Sequence, residues 1–126
     1  MYNVNRVTLI GQLTADPDQS STTSGQSKAT FRVATNYAWK DAEGEWQNGV
    51  DFHRVVAWRA IAKLIAQMKK GDGVYVEGKL QTNSWVTEDG EKRYSTEVVA
   101  TSVVGVEKRS SNNDLAENEQ MKEGEE

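Results

Sequence analysis

The side chains best equipped for chemistry in this sequence are aromatic and cationic, and they recur at every second position. In Asp51–Trp58 (DFHRVVAW), Phe52, Arg54, Val56 and Trp58 alternate with His53, Val55 and Ala57. An extended chain puts the two sets on opposite faces. A face that runs aromatic, cation, aliphatic, aromatic can stack nucleobases on its rings and neutralise phosphates with its guanidinium. Every base offers a π-face, so such stacking ignores base sequence and contributes roughly 1–3 kcal/mol per base. The opposite assignment, with Phe52 and Trp58 in a core and His53 in water, satisfies the same alternation, and periodicity alone does not choose between them.

Val74–Trp85 repeats the pattern. Val74, Val76, Gly78, Leu80, Thr82 and Ser84 make a face that begins aliphatic, while Tyr75, Glu77, Lys79, Gln81, Asn83 and Trp85 make the other. A tryptophan on a polar face is not placed there by burial within its own domain. It meets a ligand, or a loop or another subunit covers it. Trp39, with Lys40 beside it, ends a further alternating segment, and Trp46 lies across a turn from it. Four tryptophans are many for 126 residues, and hairpin rims bury them poorly. Trp46 is the one expected to be structural.

Other chemistries lack their parts. No cysteine is present, hence no disulfide, thiolate zinc site or cysteine nucleophile. His53 is the only histidine, and a lone imidazole on a strand more often serves structure than catalysis. Phosphate loops, nucleophile elbows and dinucleotide fingerprints are missing. The pair Lys69-Lys70 suits a phosphate, but it suits the negative end of a helix dipole at least as well. No catalytic activity, metal or cofactor is expected.

Strands must position these side chains. Asn5–Leu13, Thr30–Trp39, Asp51–Trp58, Val74–Trp85 and Tyr94–Val106 are rich in β-branched and aromatic residues. In Thr30–Trp39, Phe31, Val33 and Tyr37 share one parity. Gln19–Gln26 reads as a Ser/Thr/Gly loop, and Gly44 and Asp89-Gly90 mark hairpin tips. Ala60–Lys70 changes period: Ile61, Leu64, Ile65 and Met68 fall on one helical face, with Gly71 as the stop. Three strands, a helix and two strands is the order of an all-β (mainly) five-stranded OB-fold barrel with its helix between strands 3 and 4.

The length supports one domain, residues 1–106, and a tail, 107–126. That tail holds seven acidic and three basic residues and almost no large apolar side chain, so it cannot offset its ordering entropy and is expected to be disordered. Residues 1–106 balance twelve acids with twelve bases, so the net charge of −4 belongs to the tail. No apolar run approaches the roughly 20 residues of a membrane span, and no signal-peptide core is visible, which predicts a cytosol-like compartment.

Asn5-Arg6-Val7-Thr8-Leu9-Ile10-Gly11, Asp16-Pro17, Ala34-Thr35-Asn36, Trp39-Lys40-Asp41, Phe52-His53-Arg54-Val55-Val56, Lys70-Gly71, Val74-Tyr75-Val76-Glu77-Gly78 and Tyr94-Ser95-Thr96-Glu97 follow one another in an order and spacing that resembles the bacterial single-stranded DNA-binding proteins (SSB). The resemblance covers about residues 4–106. It implies an OB-fold homotetramer that binds and protects single-stranded DNA in replication, recombination and repair, cytoplasmic and nucleoid-associated. It places base-stacking positions on Trp39, Phe52, Trp58 and Trp85, and backbone-contacting cations on Arg54, Lys70 and Arg93; Lys40 and Lys79 are further candidate DNA-binding cations. It further implies dimer pairing through the first strand (Val7, Leu9), a subunit-contact role for His53, and a second interface near Tyr75 and Glu77.

The sequence also departs from the family. Ser20 and Ser21 stand where a basic residue and a tyrosine are usual, and Gln81, Asn83 and Ser84 replace basic residues before the last stacking tryptophan. Fewer phosphate contacts there predict a weaker salt dependence than the family usually shows. The chain stops at Glu-Gly-Glu-Glu, without the acidic Ile-Pro-Phe tip through which the family recruits replication and repair proteins. That is expected of a truncated chain or of a short phage, plasmid or divergent form. The alternatives are a replication-restart OB protein of the same fold, an oligomerisation module whose outward aromatics form subunit contacts, and RNA binding.

Overall fold

The computed structural model describes residues 1–106; the expected acidic tail, 107–126, lies outside the described residues. Seven elements follow in order: β1 (Val7–Leu13), β2 (Asp18–Ser21), β3 (Ser27–Lys40), β4 (Trp46–Trp58), α1 (Arg59–Ile65), β5 (Gly73–Val86) and β6 (Lys92–Val106). The sheet order is β1-β5-β6-β4-β3-β2, and β1 also pairs with β3, which closes the predicted five-strand barrel. Closure brings two backbones together at Gly11, where a Cβ would run into the carbonyl oxygen of Ala34. All pairings are antiparallel except the short parallel step between β4 and β6, Val55 with Val98 and Val56 with Val99.

The core settles the parity that the sequence left open. Leu13, Phe31, Val33, Val55, Ala57, Val74, Val76, Val98, Ala100 and Val103 fill the barrel. Val55 and Ala57 are therefore the inward set of β4, and Phe52, Arg54 and Trp58 stand on its outward set. On β6 the alternation breaks once. Glu77 pairs with Ser102 but Gly78 pairs with Ala100, so Thr101 is an extra residue, a bulge whose hydroxyl donates to the Glu77 carbonyl at 3.2 Å. The slip lets Val98 and Ala100 on one side of it and Val103 on the other all face inward.

Two expectations need correction. The loop 19–26 is partly strand: Asp18–Ser21 pairs with Ser27–Thr30 of β3. Its four side chains are all exposed, so no apolar pattern marks it, and backbone pairing alone holds it. The helix ends at Ile65 rather than Lys70, because the next amides tighten to i→i−3 bonds, Gln67 N–H to Leu64 and Met68 N–H to Ile65. Ala62 and Ile65 are buried, with Ile61 and Met68 partly packed on the core, while Leu64 faces water. No described helix is long and apolar enough to cross a membrane.

Both long hairpins outrun the barrel. Past Thr35 and Asp51 the β3/β4 ribbon is almost wholly exposed, and past Gly78 and Val98 so is the β5/β6 ribbon. Each ends at the expected turn, Asp41–Glu45 and Thr87–Glu91.

Candidate nucleic-acid interface

Strand register decides which candidate residues can act together. On β4 the outward parity reads Phe52, Arg54, Val56, Trp58, with Val56 itself covered, and β3 supplies the cross-strand partners: Ala34 opposite Phe52, Arg32 opposite Arg54, Lys28 opposite Trp58. Phe52 is 59% exposed, far more than a core phenylalanine tolerates. Trp58 is half-buried, and the Lys28 ammonium sits 5.3 Å from its ring centroid.

The same outward face continues onto β6 and β5. Arg54 Nε lies 3.1 Å from Glu97 Oε2. Glu97 pairs with Gln81 across β5/β6, Ser95 with Asn83, Arg93 with Trp85 and Val99 with Lys79. Trp85, 49% exposed, and Arg93 thus share a face with Lys79 and, through the Arg54–Glu97 bridge, with Phe52 and Trp58. Asn83 donates to Glu97 Oε1 at 2.9 Å and Gln81 donates to Asn83 Oδ1 at 3.1 Å, so this part of the face is a linked polar network built round one carboxylate. Arg93 bonds Glu91 at 3.0 Å between two well-exposed side chains, a pairing of small energetic weight.

Trp39 is not brought into this group. It pairs with Gln47 and has the parity of Tyr37, Val33 and Phe31, so it stands on the opposite side of the ribbon, 47% exposed. Tyr37 lies across Gly49 on that side; a Cβ at Gly49 would meet its ring, so glycine is what lets the tyrosine cover the partner strand. Lys70 sits in the loop between α1 and β5, its backbone N–H donating to Asp16 Oδ1 at 2.8 Å. Asp16 in turn lines a depression with Asp18, Thr30, Arg32 and Arg54.

Trp46 corrects an expectation. It is not buried within the chain but 68% exposed, and it shares the parity of Phe52 and Trp58. Lys40 is its cross-strand partner, with the ammonium 5.9 Å from the ring centroid. The signal was present: 46, 52, 54 and 58 are all even, and the strand runs unbroken through Gly49. Lys28, Arg32 and Tyr94 were also missed. Tyr94 is 64% exposed on the other face of its ribbon, under the Lys92 ammonium at 5.6 Å.

The residues assigned to subunit contact divide as well. Val7 and Leu9 pack partly against the core, so β1 offers outward its Thr8 and Ile10 and its backbone edge. Ile10, Tyr75 and Val104 form one row across β1, β5 and β6. Tyr75 donates to Glu77 at 2.6 Å, and that bond to a carboxylate raises the phenol above its ordinary pKa. His53 Nε2 lies 2.9 Å from Thr35 Oγ1, on the inward parity at the mouth of the barrel. Among the described residues no cluster of acids and histidine could hold a metal ion.

The sequence model of the Single-strand binding protein family matches residues 4–106. The chain belongs to this family. Among its relatives, the single-stranded DNA-binding protein 1 of Chlorobaculum tepidum is 46% identical over 100 residues, 78% of this chain; the chain spans 62% of that relative's length. The single-stranded DNA-binding protein 1 of Xylella fastidiosa is 37% identical over 115 residues, 90% of this chain and 85% of the relative. Two solved structures of the single-strand binding family share the fold. A Plasmodium falciparum SSB in complex with single-stranded DNA superposes with a TM-score of 0.78 at 32% identity, covering 85% of this chain and 98% of the other. A deletion mutant of the single-stranded DNA-binding protein from Thermus aquaticus gives 0.75 at 33% identity, covering 84% and 52%.

Proposed function

We propose that this chain binds and protects single-stranded DNA without regard to sequence, as a binding protein and not an enzyme, in replication, recombination and repair. One observation carries the reading: Phe52, Arg54, Trp58, Trp85 and Arg93, drawn from three strands, share one outward face of a barrel whose core is complete without them. Exposed rings beside cations suit flat ligands that carry an anionic backbone. Membership in a family with a DNA-bound structural relative supports the same ligand.

The chain also has the means to assemble. β1 pairs with β5 along its length but with β3 only at Gln12 and Leu13, which leaves an open backbone edge from Val7 to Gly11. Open edges invite a further strand. Pairing through that edge, with Ile10, Tyr75, Glu77 and Val104 on the flanking face, supports a homotetramer, and His53 is assigned to subunit contact. The cytoplasm, at the nucleoid, is the compartment this reading assigns.

The test is tryptophan fluorescence during titration with oligo-dT, together with light scattering. Saturable quenching of the native chain, weakened by Phe52→Ala and Trp85→Ala with the assembly intact, supports stacking. Loss of the assembly in those variants instead makes the aromatic face a subunit contact and the chain an oligomerisation module.

A further inference from the structure

Single-stranded DNA that stacks on outward rings must also lay its phosphates against positive charge. β5 is poorly furnished for this. Its outward face carries a single cation, Lys79, and then presents Gln81 and Asn83 before Trp85; these bond each other and Glu97, and Glu97 also holds Arg54. β3 is different. Its cations Lys28, Arg32 and Lys40 all stand on the outward parity, each directly opposite a residue of the β4 row: Lys28 faces Trp58, Arg32 faces Arg54, and Lys40 faces Trp46. Arg32 is exposed and, among the described residues, has no carboxylate within ion-pair distance. Two arginines directly opposed repel each other, and Glu97 offsets only one of them. Asp16 and Asp18 border the depression beside them, but Asp16 already accepts the Lys70 N–H.

We propose that the β3/β4 ribbon is a two-row track for the DNA, with phosphates on the β3 row (Lys28, Arg32, Lys40) and bases on the β4 row, running from Trp58 out to Trp46. Trp46 is then a stacking platform at the ribbon tip, and Arg32 is a phosphate contact at the middle. This rests on the single-stranded DNA reading above and adds the path of the strand across the surface. In the free protein each lysine covers the ring face that a base would take, at 5.3 Å for Lys28–Trp58 and 5.9 Å for Lys40–Trp46. Cation over ring is a modest attraction in water. An arriving base takes the ring, and the displaced ammonium finds the phosphate that travels with that base. The row on β3 thus adds three cations to the one, Lys79, that β5 presents on this face.

The experiment is the salt dependence of oligo-dT affinity for the full chain, read by anisotropy of labelled oligonucleotide. Each lost phosphate contact should flatten the log–log slope by about 0.7 for a single strand. Lys28→Gln, Arg32→Gln and Lys40→Gln are expected to do so singly, and the triple variant by roughly 2 in all. Lys63→Gln, on the exposed face of α1, controls for loss of a charge elsewhere. Trp46→Ala should weaken binding of long oligo-dT roughly five- to hundredfold, and Trp46→Phe should restore most of it. Light scattering and far-UV circular dichroism of every variant confirm an unchanged assembly and fold. Slopes unmoved by the β3 variants but flattened by Lys79→Gln would overturn the proposal and return the phosphates to β5. A Trp46→Ala variant that alters the assembly with DNA affinity intact would make the tip a subunit contact. If the native chain binds no oligo-dT, the DNA reading itself fails; if it binds and Phe52→Ala weakens it while the β3 row is silent, only the two-row track fails.

Discussion

The two hairpin ribbons that leave the barrel both carry exposed aromatic rings and handle charge in different ways. On β3/β4, Lys28 and Lys40 rest on tryptophan faces, and among the described residues neither they nor Arg32 have a carboxylate within ion-pair distance. On β5/β6, Arg93 is paired with Glu91, and the Gln81–Asn83–Glu97 network engages Arg54 from the neighbouring strand. Aromatic rings alone therefore do not define a nucleic-acid surface. What the charge beside each ring is already bonded to decides whether binding there is governed by stacking, which salt hardly touches, or by counterion release, which salt governs.

The contrast can be broken in four places. Trp85→Ala should have the largest effect, a loss of about 1–3 kcal/mol in oligo-dT affinity with the salt slope unchanged; a flattened slope in titrations at several salt concentrations would mean that the β5/β6 ribbon also binds by charge. Next, Glu97→Gln keeps the amide contact to Asn83 but releases Arg54, so the slope should steepen by about 0.7, converting the network side towards the other kind. An unchanged slope would show that Arg54 already reaches phosphate past Glu97.

The third effect is smaller and depends on pH. The Asp41 carboxylate accepts the Glu45 N–H at 2.8 Å, the Gln47 amide at 3.0 Å and the Glu43 N–H at 3.0 Å, and these bonds, the Glu45 N–H foremost, hold it below the usual aspartate pKa. A depressed folded-state pKa means that the stabilisation is present above the free carboxylate range and lost as pH falls through the depressed value. The β5/β6 turn is closed by the Thr87 hydroxyl accepting the Glu91 N–H at 3.2 Å, which does not titrate. Acidification should therefore loosen the β3/β4 tip first, seen as faster amide exchange at Glu45 than at Glu91, and Asp41→Asn should abolish the difference. The smallest effect separates barrel from ribbons. Arg59 begins α1 with φ of 58°, in the left-handed region that L side chains resist. Arg59→Gly should raise thermal stability by up to about 1 kcal/mol with both ribbons' DNA behaviour unaltered.

Period-two alternation made most of the barrel legible, since Val74, Val76, Phe31 and Val33 bury the side that their spacing indicates. It failed where alternation carries no chemical contrast. Asp18–Ser21 has no apolar side and is held through its backbone, so nothing in its residue types announces a strand. Lys69, Lys70 and Gly71 suit a helix end, yet the chain abandons the helix at Ala66, where Leu64 has no core to meet. On β4 the same alternation fits two opposite cores, and the closed barrel buries Val55 and Ala57 and leaves Phe52 exposed and Trp58 half-buried. At Trp46 the hairpin tip misleads, because a ring there suggests a need for cover, whereas its parity aligns it with Phe52 and leaves it exposed. The division of Trp39 from the other rings was hidden for a converse reason: its role came with the resemblance, while its side of the sheet came only with the register to Gln47.

The unpaired Thr101 has a consequence beyond packing. Because a strand exposes alternate sides, one surplus residue works as a frameshift in space: β6 is read in one phase from Lys92 to Ala100 and in the other from Ser102 onward. Deleting that residue would leave each side chain's chemistry untouched and still turn one half of the strand over relative to the other, so that either Val98 and Ala100 or Val103 would leave the interior. Which way Arg93 and Glu97 look is thus written in a count rather than in any of their identities.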